Sequence, residues 1–147
     1  MDHVVYVDAK AKEMDNLLDG TRTMIIRGAA GRKLPHGRVF KDDILYFINN
    51  NAEGLVKARG TVAGVINSGK MTKNESTALV DRYADKLQLS DREYQRWAGK
   101  HYLVLIEVGN VQAVAPFEID KSEYGNMDDW LPVENINRVQ VSGGRDQ

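Results

Sequence analysis

The alternation of apolar and polar positions predicts a chain that opens with a strand, Val4 to Val7, and turns at once into a short helix with Met14, Leu17 and Leu18 on one face. Asp8 has the carboxylate to cap that helix, and Gly20 has the freedom to end it. Thr23 to Arg27 reads as a second strand, and its period of two puts Thr23, Ile25 and Arg27 on one side with Met24 and Ile26 on the other. Gly28 to Gly37 holds three glycines, a proline and almost no apolar side chain, which predicts a long exposed loop. Ile44 to Ile48 then reads as a strand, Asn49-Asn50-Asn51 with Gly54 as a turn, and Leu55 to Ile66 as a long strand broken by Gly60 and Gly64.

Two helices are announced by capping boxes, Thr72-Lys73-Asn74-Glu75 and Ser90-Asp91-Arg92-Glu93, in which a hydroxyl and a carboxylate satisfy each other's orphan backbone donors. The first is predicted to run to about Leu87 and to bury Leu79, Val80, Tyr83 and Leu87; the second is predicted to bury Tyr94 and Trp97. Both read as structural. Tyr102 to Val114 is the strongest strand signal and is read as the central strand, with a bulge or turn at Gly109-Asn110 and an interruption at Pro116. Lys121 to Leu131, with Gly125, Met127 and Trp130, reads as irregular or briefly helical, and Asn137 to Val141 as the closing strand. The expectation is one domain over 1–141 and a flexible polar tail over 142–147.

Composition narrows the function more by exclusion than by assertion. No apolar run is long enough to cross a bilayer, and Asp2 stands where an export signal carries positive charge, so a cytoplasmic chain is expected. With no cysteine, disulfides, thiolate chemistry and cysteine-ligated metals are excluded. His3, His36 and His101 lack the close spacing of a helical metal site, and no phosphate loop, nucleophile elbow or dinucleotide fingerprint occurs. No metal, cofactor or catalytic residue is therefore assigned. The net charge of −1 hides an asymmetry: Arg22, Arg27, Arg32, Lys33, Arg38, Lys41, Lys57 and Arg59 crowd the stretch from Gly20 to Gly60, whereas Glu107 to Glu134 is mostly acidic.

This order of elements resembles the PUA-like superfamily and, within it, the ASCH domain family. The family's Gly-x-Lys-x-x-Glu-x-Arg pattern after the first helix is similar to Gly20, Arg22, Ile25 and Arg27, and its Gly-Asp-hydrophobic pattern is similar to Asp42-Asp43-Ile44. Val104 to Ile119 and Trp130 to Ile136 are similar to its closing strands. The resemblance implies an α+β fold, a small mixed β-barrel with flanking helices, and a ligand the size of a nucleobase or of RNA. It also implies that amidohydrolase chemistry on acetylated cytidine belongs to some members. Here Arg22 replaces the lysine, Ile25 the glutamate and Asp42 the glycine; a guanidinium pairs with phosphate but is no base, and Ile25 accepts no proton. Asp43 or Glu53 replaces that carboxylate only if the fold brings one of them to the cleft. Whether the chain is an enzyme is left open.

The leading expectation is an RNA- or nucleotide-binding module whose basic cleft holds Arg22, Thr23, Arg27, Arg32, Lys33, Arg38, Lys57 and Arg59, because clustered cations are the electrostatic footprint of such binding. Tyr46 joins them as the aromatic for stacking on an unpaired base. Trp97 and Trp130 are read as core or cover residues. The alternatives are a hydrolase of a modified nucleoside with a rearranged acid, and an interaction domain that meets a basic partner through its acidic half.

Overall fold

A computed structural model describes residues 1–124 and 129–141 of the chain; the predicted tail 142–147 lies outside the described residues. In chain order the elements are β1 (Asp2–Val7), α1 (Glu13–Leu18), β2 (Met24–Ala29), β3 (Ile44–Asn49), β4 (Leu55–Asn67), α2 (Lys73–Arg82), α3 (Ala84–Leu87), α4 (Asp91–Trp97), β5 (Tyr102–Glu118), β6 (Trp130–Glu134) and a 3-10 turn, Ile136–Arg138. The strands form one sheet in the order β2-β5-β4-β3-β1-β6, antiparallel throughout except for the parallel pair β1 and β3.

The sheet curls because its strands share an interior. Val5 and Val7 of β1, Ile25 of β2, Leu45 and Phe47 of β3, Ala58 and Val62 of β4, Val104 and Ile106 of β5 and Trp130 of β6 meet in one buried cluster with Met14 and Leu17 of α1. A flat sheet with these edges would hold β2 and β6 far apart; the common core draws them together into an α+β half-barrel. Its outer surface is covered twice. Met24, Ile26, Leu103 and Leu105 pack under Val80, Leu87 and Trp97 of the helical insertion, and Val4, Ile48 and Val56 pack under Leu131, Val133 and Ile136. Burial of each such side chain contributes about 1.5 to 3 kcal/mol relative to exposure.

The predicted faces of β2 hold: Ile25 lies inside, Met24 and Ile26 outside. Both capping boxes form as written in the sequence. Five expectations change. Asp8 caps the turn before α1, accepting from the Ala11 amide, while Lys12 occupies the N-cap itself in a left-handed conformation. The helix predicted to reach Leu87 breaks at Tyr83 into α2 and α3. The second capped helix buries Trp97 but leaves Tyr94 half-buried, its hydroxyl donating to Asp81. β5 runs past the predicted end at Val114 to Glu118, and its regular pairing is interrupted at Pro116 as expected, since Val56↔Phe117 and Ala58↔Ala113 bracket a bulge in which the proline needs no ladder hydrogen bond. The strand beside β1 is β6, not Asn137–Val141, which contributes the 3-10 turn and one isolated bridge, Gln140 to Ile119.

Candidate nucleotide-binding cavity

At the open seam of the half-barrel, between edge strand β2 and strand β1, sits Arg27. It continues the inward face of Ile25, so alternation aims a cation where the core ends. Its guanidinium spans the seam, donating from one amino nitrogen to its neighbour carbonyl Ile26 O and from the other to Tyr6 O, each at 2.7 Å. Two indoles flank it: the guanidinium carbon lies 5.9 Å from the centroid of Trp97 and 5.7 Å from that of Trp130, within cation–π range. Its Nε makes no hydrogen bond among the described residues and faces the Asp129 carboxylate at 3.4 Å.

Above this floor opens a cavity of about 330 Å³, inside the ~300–1,000 Å³ range of small-molecule sites. Lys33 and Leu34 of the β2–β3 loop form one wall; Arg96, Trp97 and Lys100, at the end of α4 and just beyond it, form the other. Among the described residues, Arg27, Lys33, Arg96 and Lys100 face a single lining carboxylate, Asp129. Arg96 stacks on Trp97 with its guanidinium carbon 4.4 Å from the ring centroid, so an exposed planar cation extends the aromatic surface. Gly28 lines the cavity where no larger residue fits: a Cβ there would stand 2.7 Å from Leu103 Cδ2 and 3.1 Å from Tyr102 O. A smaller chamber of about 140 Å³ adjoins through Arg27, Arg96, Trp97 and Asp129 and reaches Asp8, Glu13, Asn50 and Glu93.

Arg22 is placed differently from the cleft role predicted for it. It is 2% exposed, donates to both carboxylate oxygens of Glu93 at 3.0 and 2.8 Å, and lies 3.4 Å from Glu13. Burial alone would push the Glu93 carboxyl up, but hydrogen bonds from Arg22 and from the Ser90 backbone and hydroxyl outweigh it and hold the group below the ordinary carboxylate range. The capping-box glutamate of α4 thus also fastens the helical insertion to the barrel. Thr23 is half-buried just before β2, its amide bonded to Lys86 O and its carbonyl accepting from Val108.

The other predicted cations and the aromatic do not gather at one place. Lys33 lines the cavity; Arg32 is exposed beside it, 5.7 Å from the Tyr102 ring; Arg38 is exposed further along the same loop. Tyr46 and Arg59 pair across β3 and β4 on the sheet's outer face, where Tyr46 packs on Phe117 with centroids 6.3 Å apart. Burial and the nearby Asp2 carboxylate raise the Tyr46 phenol above its ordinary value, against the opposing pull of Arg59. Lys57 is engaged by Glu53 at 2.7 Å. Neither substitute carboxylate lines the cavity, since Glu53 holds Lys57 and buried Asp43 accepts from His3 and from the Phe40 amide.

Trp97, Trp130, Arg96, Lys100 and Asp129 line the cavity without having been nominated from the sequence. The signal was present in Arg96-Trp97 and Lys100, a basic and aromatic cluster at the end of a capped helix, but nothing local ties that helix to Arg27. Trp130 directs its indole N–H away from the cavity to His3 Nδ1 at 3.1 Å.

No family model and no curated protein matches this sequence. Among solved structures, a tyrosine-to-phenylalanine variant of the ASCH protein from Zymomonas mobilis superposes with a TM-score of 0.65 at 16% identity, covering 93% of this chain and 94% of that one. The unsubstituted Zymomonas mobilis ASCH structure superposes with a TM-score of 0.62 at 17% identity, covering 90% of this chain and 89% of that one. A serine-to-alanine variant of the same protein gives 0.65 at 16% identity. From β1 to the turn after β6, then, the chain has the α+β fold of these ASCH proteins, the architecture its sequence resembles.

Proposed function

We propose that the cavity above Arg27 binds single-stranded RNA, taking one nucleotide of the strand at a time. The observation that carries this reading is the concentration of Arg27, Lys33, Arg96 and Lys100 around one concave space, with a single opposing carboxylate among the described residues. Such a site attracts phosphate and releases the counterions condensed on a nucleic acid strand. The guanidinium of Arg96, over the Trp97 ring with its carbon 4.4 Å from the centroid, offers a planar surface on which an unpaired base stacks. The cavity takes a nucleotide unit and not a duplex, whose stacked bases present no free face.

A fluorescein-labelled ten-nucleotide single-stranded RNA, titrated with the protein at several salt concentrations, tests the reading. Affinity is expected to fall with salt, with a log–log slope of about −0.7 for each phosphate neutralised. The Lys33→Ala/Lys100→Ala double variant, which alters two exposed side chains, is expected to bind more weakly and with a shallower slope. No binding at low salt, or an unchanged slope in the double variant, refutes the assignment.

A further inference from the structure

Behind the cavity wall lies a chain of polar contacts that the binding reading does not use. His3, on the inward face of β1, is fully buried with both ring nitrogens engaged: Nε2 lies 2.9 Å from Asp43 Oδ2 and Nδ1 lies 3.1 Å from Trp130 Nε1. Each partner has only one role to play. An indole nitrogen donates and cannot accept, so Nδ1 carries no proton; an ionised carboxylate accepts and cannot donate, so Nε2 carries one. The two neighbours therefore specify a single neutral tautomer. Trp130 is in turn 1% exposed, stands edge-on to His3 with ring centroids 5.9 Å apart, and flanks the Arg27 guanidinium on its other side.

We propose that His3 is a positioning residue for the cavity: in its neutral form it holds the Trp130 indole against Arg27, and protonation at Nδ1 removes the acceptor and lets that wall go. The inference rests on the cavity being the binding site. A proton taken from water onto Nδ1 would set N–H against N–H, and Trp130 would have to turn away from His3 or lose its hydrogen bond within the core. The charged groups facing His3 are few among the described residues. Asp43 lies on its Nε2 side, the α-amino group of Met1 is 3.7 Å from that carboxylate, and Asp2 adjoins on β1. Pro132 is its register partner on β6, and the Arg27 cation lies beyond the indole. Burial is the largest influence on the imidazole and disfavours its charged form, Asp43 opposes it, and the balance lies below the ordinary histidine value. The switch is thus set below the ordinary histidine value, with the holding form present at neutral pH.

The test begins without any ligand. Since the chain has two tryptophans, Trp97→Phe leaves Trp130 as its sole indole reporter. Its emission is expected to step at a pH below about 6.5 and to lose that step when His3→Asn is added, the asparagine keeping an acceptor near Nδ1 without titrating. The same profile in both proteins, or no step in either, overturns the proposal. Nitrogen NMR of the unsubstituted protein at pH 7.5 adds a reading that needs no variant to fold: the Nε2–H tautomer supports the relay, and the Nδ1–H tautomer or an imidazolium sinks it. With the fluorescein-labelled RNA, lowering the pH from 7.5 through the emission step is expected to weaken binding about tenfold more in the unsubstituted protein than in His3→Asn, the scale of one buried hydrogen bond. Equal losses in the two overturn it. Should the RNA fail to bind at every pH, the function assigned to the cavity falls, and the emission step and tautomer still decide the role of His3.

Discussion

Arg22 and Arg27 stand at the two ends of one short stretch, both buried, and their surroundings differ in a way that decides what each can do. Arg22 is neutralised by carboxylates: Glu93 takes two of its N–H groups and Glu13 approaches at 3.4 Å, so its charge is cancelled where it lies, with Gln88 O accepting from it as well and its Nε without a partner among the described residues. Arg27 is satisfied mainly by carbonyls, Ile26 O and Tyr6 O, whose dipoles accept its protons without removing its charge. Between two indoles, and with half-buried Asp129 the one carboxylate near its Nε among the described residues, it still projects a positive field into the cavity. An arginine count along the sequence treats the two as equals. How the guanidinium is satisfied determines whether it serves as a fastener or as a binding surface.

The largest break in this comparison comes from the fastener. Arg22→Ala leaves Glu13 and Glu93 in the interior without their cation and should cost about 3 to 5 kcal/mol in urea unfolding. Gly28→Ala tests how tightly the cavity floor is built. Its new Cβ meets Leu103 and the Tyr102 carbonyl, and an expected loss of about 1 to 3 kcal/mol should accompany weaker RNA binding.

Acid separates the two regions by their titrating groups. Glu93 sits below the usual carboxylate range, so its stabilisation is present above about pH 4.3 and is lost as pH falls through the lowered folded value. His3 is also lowered, so its contribution is present above about pH 6.5 and declines as pH falls from there through its own folded value. Stability curves against pH should therefore bend twice on acidification. His3→Asn should remove the upper bend, and Glu93→Gln should reduce the lower, to which Asp8 also contributes because its burial is outweighed by hydrogen bonds from the Ala11 amide and Arg92.

Smaller effects sharpen the cavity side. Lys33→Ala/Lys100→Ala should reduce the salt slope of RNA binding by about 1.4, at 0.7 per lost phosphate contact, with stability unchanged within about 0.5 kcal/mol. The smallest change is expected from Lys57→Ala/Arg59→Ala. Arg59 lies opposite Tyr46 on the outer side of the sheet, Lys57 is engaged by Glu53, and neither lines the cavity, so RNA affinity should match that of the unsubstituted protein. A loss equal to that of the Lys33/Lys100 variant would move the binding surface to the outer face.

Much of the architecture was legible because its signals are local. Period-two alternation marked β2, β3 and β4, and the hydroxyl-to-glutamate spacing at Thr72 and Ser90 marked two helix starts. The failures are equally instructive. The strand signal reads as ending at Val114, yet β5 continues to Glu118 because the expected interruption at Pro116 takes the form of a bulge opposite Val56 and Ala58, where no N–H is needed. Tyr83 reads as part of a buried helical stripe, yet there the backbone leaves helical geometry and a new short helix begins. Of the residues nominated for a cleft, Arg27 and Lys33 line the cavity, while Tyr46 and Arg59 face the other side of the sheet.

By itself the sequence determined where the strands and capped helices lie, that one face of β2 carries Arg27 beyond Ile25, and that cations crowd the first half of the chain. Those properties depend on neighbours a few residues away. Tertiary structure alone decided that Arg22 would be neutralised by Glu93, that Trp97 and Trp130 would close on Arg27, and that His3 would stand between Asp43 and Trp130. Each of those contacts joins residues far apart along the chain, and what brings them together is the curl of a sheet around a shared apolar core, which no local pattern encodes.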